Sequence, residues 1–346
     1  MKLAMTALAM AAAGAIGLGA LTMPAGAGAD PSLPPVSAED LVASVLTAKV
    51  PALDGTVTVH NALGLPALPG VAAPLTQPVT TFRVWSDGQG HDRLELPSRN
   101  GEQVLIEDGT TLWYYDSSSR TATALENGAT PARQRPPVAD PAQEARELVG
   151  AVRKYSTVTV DGTGTVAGRP VYQLVLTPAP IERTLLREVR VAVDSARRVP
   201  LQLTVLANGS PNPALQIGFS DLTVGPQDPA LFHFTPPAGV KVERPKNEPR
   251  AGLPPGQHDG AMIHTQGEGW DTVVLGQLPP AQPPTQQGPA HQDPLAVIQR
   301  IGRPTTGPWG HGWVIQTAVG TVLVTSDGRV AAGAVPQQVL DEALTR

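Results

Sequence analysis

The alternation of hydrophobic and polar positions predicts a chain built mainly of short strands. From residue 56 onward, apolar side chains recur at every second position, which is the spacing of a strand with one buried face. Asp-Gly or Asn-Gly pairs at 87–88, 108–109 and 127–128 favour tight hairpin turns between the first strands. The strands predicted in this half are Thr56–Leu63, Thr80–Ser86, Asp92–Leu96, Gln103–Glu107, Thr111–Asp116 and Thr121–Leu125.

A second group of strands follows after residue 156. The interruption at Gly64–Pro78 in the first group contains four prolines, so it is predicted to be a surface loop or flap. The strands predicted in the second group are Thr157–Val160, Thr163–Val166, Val171–Thr177, Arg187–Asp194, Leu201–Ala207, Leu215–Leu222 and Leu231–Thr235.

Two helices interrupt the strands. Ser37 followed by Asp40 is a helix-capping pattern, and apolar residues at helical spacing extend the predicted helix from 38 to 49. Asp140-Pro141 starts a second predicted helix that runs to about Lys154. Runs of strands with helices at two places indicate an α+β fold, an antiparallel meander with helices on one side.

The composition changes after residue 244. Pro, Gly and Gln dominate residues 245–292, which we interpret as a linker between a domain at 30–244 and a small C-terminal α+β unit at 293–346. Within this linker only Met262-Ile263 and Thr272–Leu275 are strand-like, which allows one short hairpin. In that unit a helix starts at Pro294, a hairpin joins 312–319 to 321–325, and a last helix starts at Pro336.

The first residues predict export. Lys2 precedes an uncharged run that ends in Ala27-Gly28-Ala29, the small-x-small pattern of a signal-peptide cleavage site, so residues 1–29 are interpreted as a signal peptide. An uncleaved membrane anchor is the alternative, because the run is long enough to span a bilayer. The chain has no cysteine, which excludes disulfides, thiol catalysis and attachment of a lipid to an N-terminal cysteine. We therefore expect an exported protein that is not lipid-anchored.

Charge and motifs narrow the function classes. A net charge of −5 with 16% charged residues gives no basic surface for nucleic acid. Phosphate-binding loops, zinc-protease helices and the Gly-x-Ser-x-Gly elbow are absent from the sequence, so we expect no enzyme and no cofactor. A hydrolase assembled from scattered Asp and His is an alternative. His258, His264, Asp259 and Glu268 match no metal-binding spacing, and no metal site is predicted.

Several strands are apolar on both faces. In Leu112–Asp116, the sequence LWYYD, Leu112 and Tyr114 point to one face while Trp113 and Tyr115 point to the other. Such a sheet must be covered on both faces. The helices either fill one side as a packed core or leave an apolar cavity there, and the strand pattern alone does not decide between the two.

Two segments resemble the LolA-like superfamily. They are DGTTLWYYD at 108–116 and DPALFHFTPPAGVKV at 228–242, and the resemblance extends over Val36–Val242. The superfamily includes the lipoprotein carrier LolA, mycobacterial lipid-binding proteins and the sigma-factor regulator RseB. The high Ala, Gly and Pro usage suggests an actinobacterial-type member. The resemblance implies a strongly curved antiparallel sheet, a half-open β-barrel, whose apolar face is covered by helices.

The resemblance also implies a non-enzymatic carrier whose partner is an acyl lipid or a lipoprotein. RseB-like proteins carry a smaller second domain, so the alternative is a regulator that binds a membrane-anchored anti-sigma factor and senses envelope signals. The residues expected to line the apolar cavity are Phe82, Val84, Leu112, Trp113, Tyr115, Leu174, Val189, Val191, Leu203 and Phe219.

Overall fold

The computed structural model describes residues 30–65, 76–98, 101–126, 140–244, 257–258, 261–278 and 294–345. The predicted signal peptide, the Asn127-Gly128 turn and most of the predicted loop at 64–78 lie outside the described residues. The α-helices are α1 (Ala38–Thr47), α2 (Pro141–Val152), α3 (Pro294–Ile301) and α4 (Gln337–Thr345).

Most of the described chain is β-structure. The first strands are β1 (Leu53–Asn61), β2 (Val79–Ser86), β3 (Asp92–Ser98), β4 (Gly101–Glu107), β5 (Thr111–Asp116) and β6 (Thr121–Glu126). After α2 come β7 (Ser156–Val166), β8 (Arg169–Pro178), β9 (Leu186–Asp194), β10 (Pro200–Ala207), β11 (Pro213–Val224) and β12 (Lys241–Glu243). The last strands are β13 (Gln257–His258), β14 (Ala261–Met262), β15 (His264–Gln266), β16 (Val273–Gln277), β17 (Arg303–Gly307), β18 (Gly310–Gln316), β19 (Thr321–Thr325) and β20 (Arg329–Gly333).

The first twelve strands form one open sheet in the order β12-β6-β5-β4-β3-β2-β1-β11-β10-β9-β8-β7. Every neighbouring pair is antiparallel except β12 and β6, which run parallel. Consecutive strands are neighbours within β1–β6 and within β7–β11, while β1 pairs with β11 and β12 with β6 over long stretches of sequence. The sheet is therefore the antiparallel meander that the strand pattern predicts, and its two edge strands, β12 and β7, do not pair with each other.

The sheet is strongly curved. Strands β7 and β11 come within 8 Å of each other although β8, β9 and β10 lie between them. A flat sheet would separate strands four steps apart by about 19 Å, since neighbouring strands lie about 4.8 Å apart. Register shifts at 56–57, 160–163 and 200–202 mark β-bulges, which increase the local bend of a strand. The α+β half-open barrel expected from the sequence is thus confirmed.

Both predicted helices of the first domain are present, with the predicted starts. At α1 the Ser37 hydroxyl accepts a hydrogen bond from the backbone N–H of Asp40 at 3.0 Å. At α2 the Asp140 carboxylate accepts one from Gln143 N–H at 2.9 Å. These bonds satisfy backbone donors that have no partner inside the first helical turn. No helix among the described residues is both long and apolar enough to cross a membrane.

The C-terminal unit is larger than the sequence indicated. Six strands form its sheet in the order β15-β16-β20-β19-β18-β17, and α4 packs against one face of it. The strands β15 and β16 fall within residues 245–292, which we had interpreted as linker. Val273 and Leu275 of β16 are buried in the same core as Leu323 and Leu340. The sequence showed strand-like runs only at Met262-Ile263 and Thr272–Leu275, which allowed one short hairpin, and the pairing of β16 with β20 in the C-terminal sheet is not visible in so short a run.

The segment predicted as the strand Leu231–Thr235 forms no strand. Instead, Pro229–Phe232 is a short 3-10 helix, because the Asp228 carboxylate accepts a hydrogen bond from Ala230 N–H at 2.9 Å and Pro229 opens the turn. The segment then crosses the outside of β3–β6 before β12 pairs with β6. Its aromatic residues therefore cover the sheet rather than extend it.

The C-terminal unit docks on one rim of the large sheet. The backbone N–H of Leu185 and the hydroxyl of Thr184, just before β9, both donate to the carbonyl of Ala334, at 2.8 and 2.6 Å. At the end of β1, the Leu63 carbonyl accepts a hydrogen bond from Ala318 N–H at 2.9 Å. Main-chain hydrogen bonds therefore hold the two units together at the ends of strands.

Side chains add to this junction. The indole N–H of Trp270 donates to the Ser156 hydroxyl at the start of β7, at 2.6 Å. The Glu182 carboxylate accepts hydrogen bonds from the backbone N–H groups of Trp270 and Asp271, at 2.7 and 3.2 Å. The Arg183 guanidinium pairs with Glu342 of α4 at 2.8 Å. The contacts come from several strand ends, so the junction fixes the orientation of the unit on the rim.

A buried carboxylate ties two hairpin turns of the sheet together. Asp194 is 1% exposed at the end of β9, and it contacts the guanidinium of Arg169, which follows the β7–β8 turn as the first residue of β8. Its other oxygen accepts hydrogen bonds from the N–H groups of Ala196 and Arg197, at 2.9 and 2.6 Å. Burial by itself raises the pKa of Asp194, but the Arg169 and backbone hydrogen bonds outweigh it and leave the pKa below its ordinary value.

We predict that Asp194→Asn destabilises the protein at neutral pH by about 2–4 kcal/mol, because it leaves Arg169 without its buried counter-charge. A lowered pKa in the folded state means that the stabilisation is present above the unfolded pKa of about 3.9 and is lost as the pH falls through the folded value. Urea unfolding at neutral and acidic pH should therefore show the difference from wild type shrinking in acid. Asp221→Asn, at an exposed position, is the control. A difference that does not change with pH would contradict this account.

Candidate functional site

Two rows of aliphatic side chains cross the sheet on one face. Residues that are directly paired in neighbouring strands point to the same side, so the strand register defines each row. The first row is Val160, Leu174, Val191, Leu203, Ile217, Val59 and Thr80. The second row is Val158, Leu176, Val189, Val205, Leu215 and Asn61. We call the side of the sheet that carries these rows the ladder face.

The helices cover one end of the ladder face, over β7, β8 and β9. Ala38 of α1 and Val149 of α2 are buried against Val158 of the second row. Leu41 of α1 is fully buried and packs with Tyr172 of β8 and Val193 of β9. The apolar faces of both amphipathic helices therefore pack against the sheet.

The cover is held in place by polar contacts at its edges. The hydroxyls of Thr163 and Tyr172 donate to the carbonyls of Pro31 and Pro34, at 2.7 and 2.9 Å. The guanidinium of Arg153, at the end of α2, contacts the Glu39 carboxylate of α1. A backbone hydrogen bond first, and the contact with Arg153 next, lower the pKa of Glu39 below its ordinary value. The two helices and the N-terminal segment therefore form one connected lid over β7–β9.

Beyond the lid, the middle of the ladder face is open. Val189, Leu203 and Val205 are half-buried and belong to none of the buried clusters formed by the described residues. Glu188 and Arg190 of β9 lie on the opposite face and pair with each other, whereas Arg187, at the start of the strand, is exposed and by alternation lies at the edge of the ladder face. The exposed middle is thus a strip of branched aliphatic side chains, bordered by the lid on one side.

Eight of the ten sequence-predicted cavity residues lie on the ladder face. They are Phe82, Val84, Leu112, Leu174, Val189, Val191, Leu203 and Phe219. The structure brings Leu174, Val189, Val191 and Leu203 together in the two rows. Val84 and Phe219 are instead 7% and 4% exposed within the packed core beneath β1–β3, and Phe82 packs against that core.

The remaining two predicted residues, Trp113 and Tyr115, lie on the opposite face. Their rings contact Phe234, with ring centroids 5.3 and 5.5 Å apart. Phe234 belongs to the segment that crosses the outside of β3–β6, and the buried side chains of Val104 and Ile106 lie beside the two rings on the same face. The cluster of aromatic residues in LWYYD therefore seals the outer face of the sheet.

No family model and no curated protein matches this chain. The chain is similar to solved LolA-superfamily structures. A LolA superfamily protein from Nitrosomonas europaea is 14% identical over 58% of this chain and 99% of its own, with a TM-score of 0.24.

Two further similar structures come from other bacteria. A MucA/MucB complex of Pseudomonas aeruginosa contains a chain that is 17% identical, over 89% of this chain and 96% of its own, with a TM-score of 0.45. A putative outer membrane lipoprotein-sorting protein domain from Vibrio parahaemolyticus is 8% identical over 50% and 85%, with a TM-score of 0.20. At these low TM-scores the similar structures carry no information about a ligand of this chain. The ligand is inferred from the contacts within the chain itself.

Other chemistry is sparse in the described part of the chain. No three metal-binding side chains cluster there, and Asp259 of the loop with His258 lies outside it. A cavity of about 280 Å³ opens in the C-terminal unit, lined by Pro304, His311, Trp313 and their neighbours. Trp309 of the WGHGW sequence is buried in the core and donates to Asp341 at 2.9 Å.

The ten sequence-predicted residues omit the aliphatic ladder members Val59, Val158, Val160, Leu176, Val205, Leu215 and Ile217. Val205 lies two positions after Leu203, and Leu215 two positions before Ile217, so simple alternation places each on the same face as its neighbour. The signal was present in the strand pattern. What the pattern does not contain is the order of the strands, since β1 pairs with β11 across most of the domain.

We predict that Phe234→Ala lowers the free energy of unfolding by about 1–3 kcal/mol, because it uncovers Trp113 and Tyr115 on the outer face. Binding of a fluorescent fatty acid should not change, since the ladder face is on the other side. Leu203→Ala is the matched variant, and it should weaken binding of the same probe. If Phe234→Ala remains folded but no longer binds the probe, Trp113 and Tyr115 belong to the ligand site.

Proposed function

We propose that this chain is an exported, non-enzymatic binding protein that holds an acyl chain of a lipid or lipoprotein against the ladder face. The observation that carries the proposal is the open strip of Val189, Leu203 and Val205 between the lid and the packed core. Half-buried aliphatic side chains on a curved sheet form a surface that an acyl chain covers without any catalytic group.

The dimensions of the ladder face support this proposal. From Val191 on β9 to Val59 on β1, the first row crosses three strand spacings, or about 14 Å at about 4.8 Å each. One leaflet of a bilayer has a hydrocarbon layer about 15 Å thick, half of the total of about 30 Å. The row is therefore about as long as one acyl chain, and its open part lies between two ends that are already covered, Val191 against the lid and Val59 at 3% exposure. Each buried CH₂ contributes up to about 0.8 kcal/mol, so affinity in the micromolar range needs no polar recognition.

The surroundings of the strip support binding rather than simple exposure. The lid contacts the sheet through α1, α2 and a short N-terminal segment, so part of the face is already covered by the protein itself. An acyl chain would extend this apolar cover from β9 towards β1. An exported protein without a lipid anchor of its own would in this way carry or sense acyl chains outside the membrane, as the predicted signal peptide and the absence of cysteine suggest.

We predict that Leu203→Asp and Val205→Asp each reduce acyl-chain binding at least tenfold, because a carboxylate in the strip must lose its hydration when an acyl chain covers it. The measurement is mass spectrometry of lipids that co-purify with the mature chain, followed by titration with a fluorescent fatty acid. Gln202→Asp introduces the same charge on the opposite face of β10 and should bind normally. If the ladder variants unfold while the control folds, the strip is ordinary core. If folded variants retain lipid, the ligand lies elsewhere.

A regulator that binds a membrane-anchored protein, such as an anti-sigma factor, is the second candidate. It is favoured by an apolar row on the outward face of the C-terminal sheet, opposite α4. This row consists of Val274, Ala332, Val322 and Ile315, and Val274 is 42% exposed. Partly exposed apolar rows of this kind are typical of protein contact surfaces.

We predict for this second candidate that a photo-crosslinker at Ile315 forms an adduct with one membrane protein in intact cells, and that Val274→Lys abolishes the adduct. Fatty-acid binding should be unaffected by Val274→Lys, because the ladder face belongs to the other sheet. An adduct that persists in Val274→Lys would contradict the regulator hypothesis. So would the absence of any adduct when Val274 is left unchanged.

A further inference from the structure

Both rows of the ladder face change from aliphatic to polar at the same end. The first row ends in Thr80 on β2, next to Val59, and the second ends in Asn61 on β1, next to Leu215. Every other member of the two rows is Val, Leu or Ile. The ladder face therefore has an apolar end at the lid and a polar end at β1 and β2, as a site for an amphiphile requires.

The hydroxyl of Thr80 is buried and has no hydrogen-bond partner among the described residues. The residue is 5% exposed, so solvent does not satisfy the hydroxyl either. Buried polar groups are paired in almost all proteins, because an unpaired hydroxyl has lost water without a replacement. The unpaired hydroxyl of Thr80 therefore lowers the stability of the ligand-free protein. A ligand oxygen that accepts a hydrogen bond from it would remove this cost in free energy.

The sheet opens next to Thr80. Strand β3 pairs with β2 only along Arg83–Ser86, so no residue in the described part of β3 pairs with Thr80. On the other side Thr80 remains paired with Val59 of β1. The hydroxyl therefore lies where β2 and β3 are no longer paired. A ligand headgroup at this point would lie between these two strands rather than in the core.

We infer that the Thr80 hydroxyl donates a hydrogen bond to a carbonyl or carboxylate oxygen at the head of the bound acyl chain. The inference rests on the proposed function and names its ligand class: an acid or ester of a long acyl chain, not a plain hydrocarbon. The head lies at β2 and the tail runs over Val59, Ile217 and Leu203 towards Val191. From Thr80 to Val191 the row crosses four strand spacings, or about 19 Å.

The test compares palmitic acid with hexadecane as ligands of the full-length mature protein, by displacement of a bound fluorescent probe. Thr80→Val keeps the shape of the side chain and removes the hydroxyl. It should weaken binding of palmitic acid about fivefold, the value of one net hydrogen bond, and leave binding of hexadecane unchanged. Thr80→Ser should bind both ligands as wild type does.

The matched control is Thr81→Val, which removes a hydroxyl from the neighbouring residue on the opposite face, where it bonds Thr58. It should not change the affinity for either ligand. The ligand-free Thr80→Val protein should melt at the same temperature as wild type or higher, because it no longer buries an unpaired hydroxyl.

The outcomes separate the inference from the proposed function. If wild type binds neither palmitic acid nor hexadecane, the acyl-binding proposal itself fails. If wild type binds both and Thr80→Val weakens both equally or neither, the acyl site stands and the headgroup contact is overturned. A lower melting temperature of Thr80→Val with unchanged affinities would mean that Thr80 holds a buried water, which also overturns the inference.

Discussion

The structure depends on one constraint: the strands of the large sheet carry apolar side chains on both faces, and both faces must be hidden from water. The outer face of β4–β6 is covered by the chain itself, when Phe234 folds back over Trp113 and Tyr115. The ladder face is covered by α1 and α2 at one end and by the curvature of the sheet at β1–β3. The strip of Val189, Leu203 and Val205, which neither covers, is the open part of the binding site that we propose.

Curvature and register are coupled in this sheet. The bulges in β1, β7 and β10 bend the strands, and the same bulges set which side chains reach the ladder face. Leu203 and Ile217 are brought opposite each other by antiparallel pairing of two strands that are joined by a short turn. Val59 joins them only because β1 pairs with β11, a contact between the beginning and the end of the domain.

Much of this fold could be predicted, and particular residues show why. Ser37 and Asp140 marked helix starts that the structure retains, since a capping bond involves only neighbouring residues. The Asp-Gly turns fixed the hairpins for the same reason. The predicted strand at 231–235 was wrong, because Asp228-Pro229 starts a 3-10 turn locally and the aromatic alternation after it serves packing on the outer face.

The candidate site was predictable only in part. Alternation placed Leu174, Val191 and Leu203 on a common face within each strand, but which strands become neighbours depends on long-range pairing that no short pattern encodes. Thr80 illustrates the limit most clearly. Its isolated position in the sequence is that of any strand threonine, and only the register with Val59 shows that it ends an aliphatic row. The pairing of β16 with β20 was not predictable for the same reason, because β20 lies more than fifty residues away.

The junction between the two units has a consequence for how the molecule can be observed. The indole of Trp270 belongs to the C-terminal unit, but its N–H is bonded to Ser156 on the large sheet. Separation of the units would transfer this bond to water and change the polarity around the ring. The fluorescence emission of Trp270 therefore reports whether the two units are docked. Trp113 packs against Phe234 within the large sheet and provides an internal reference for that signal.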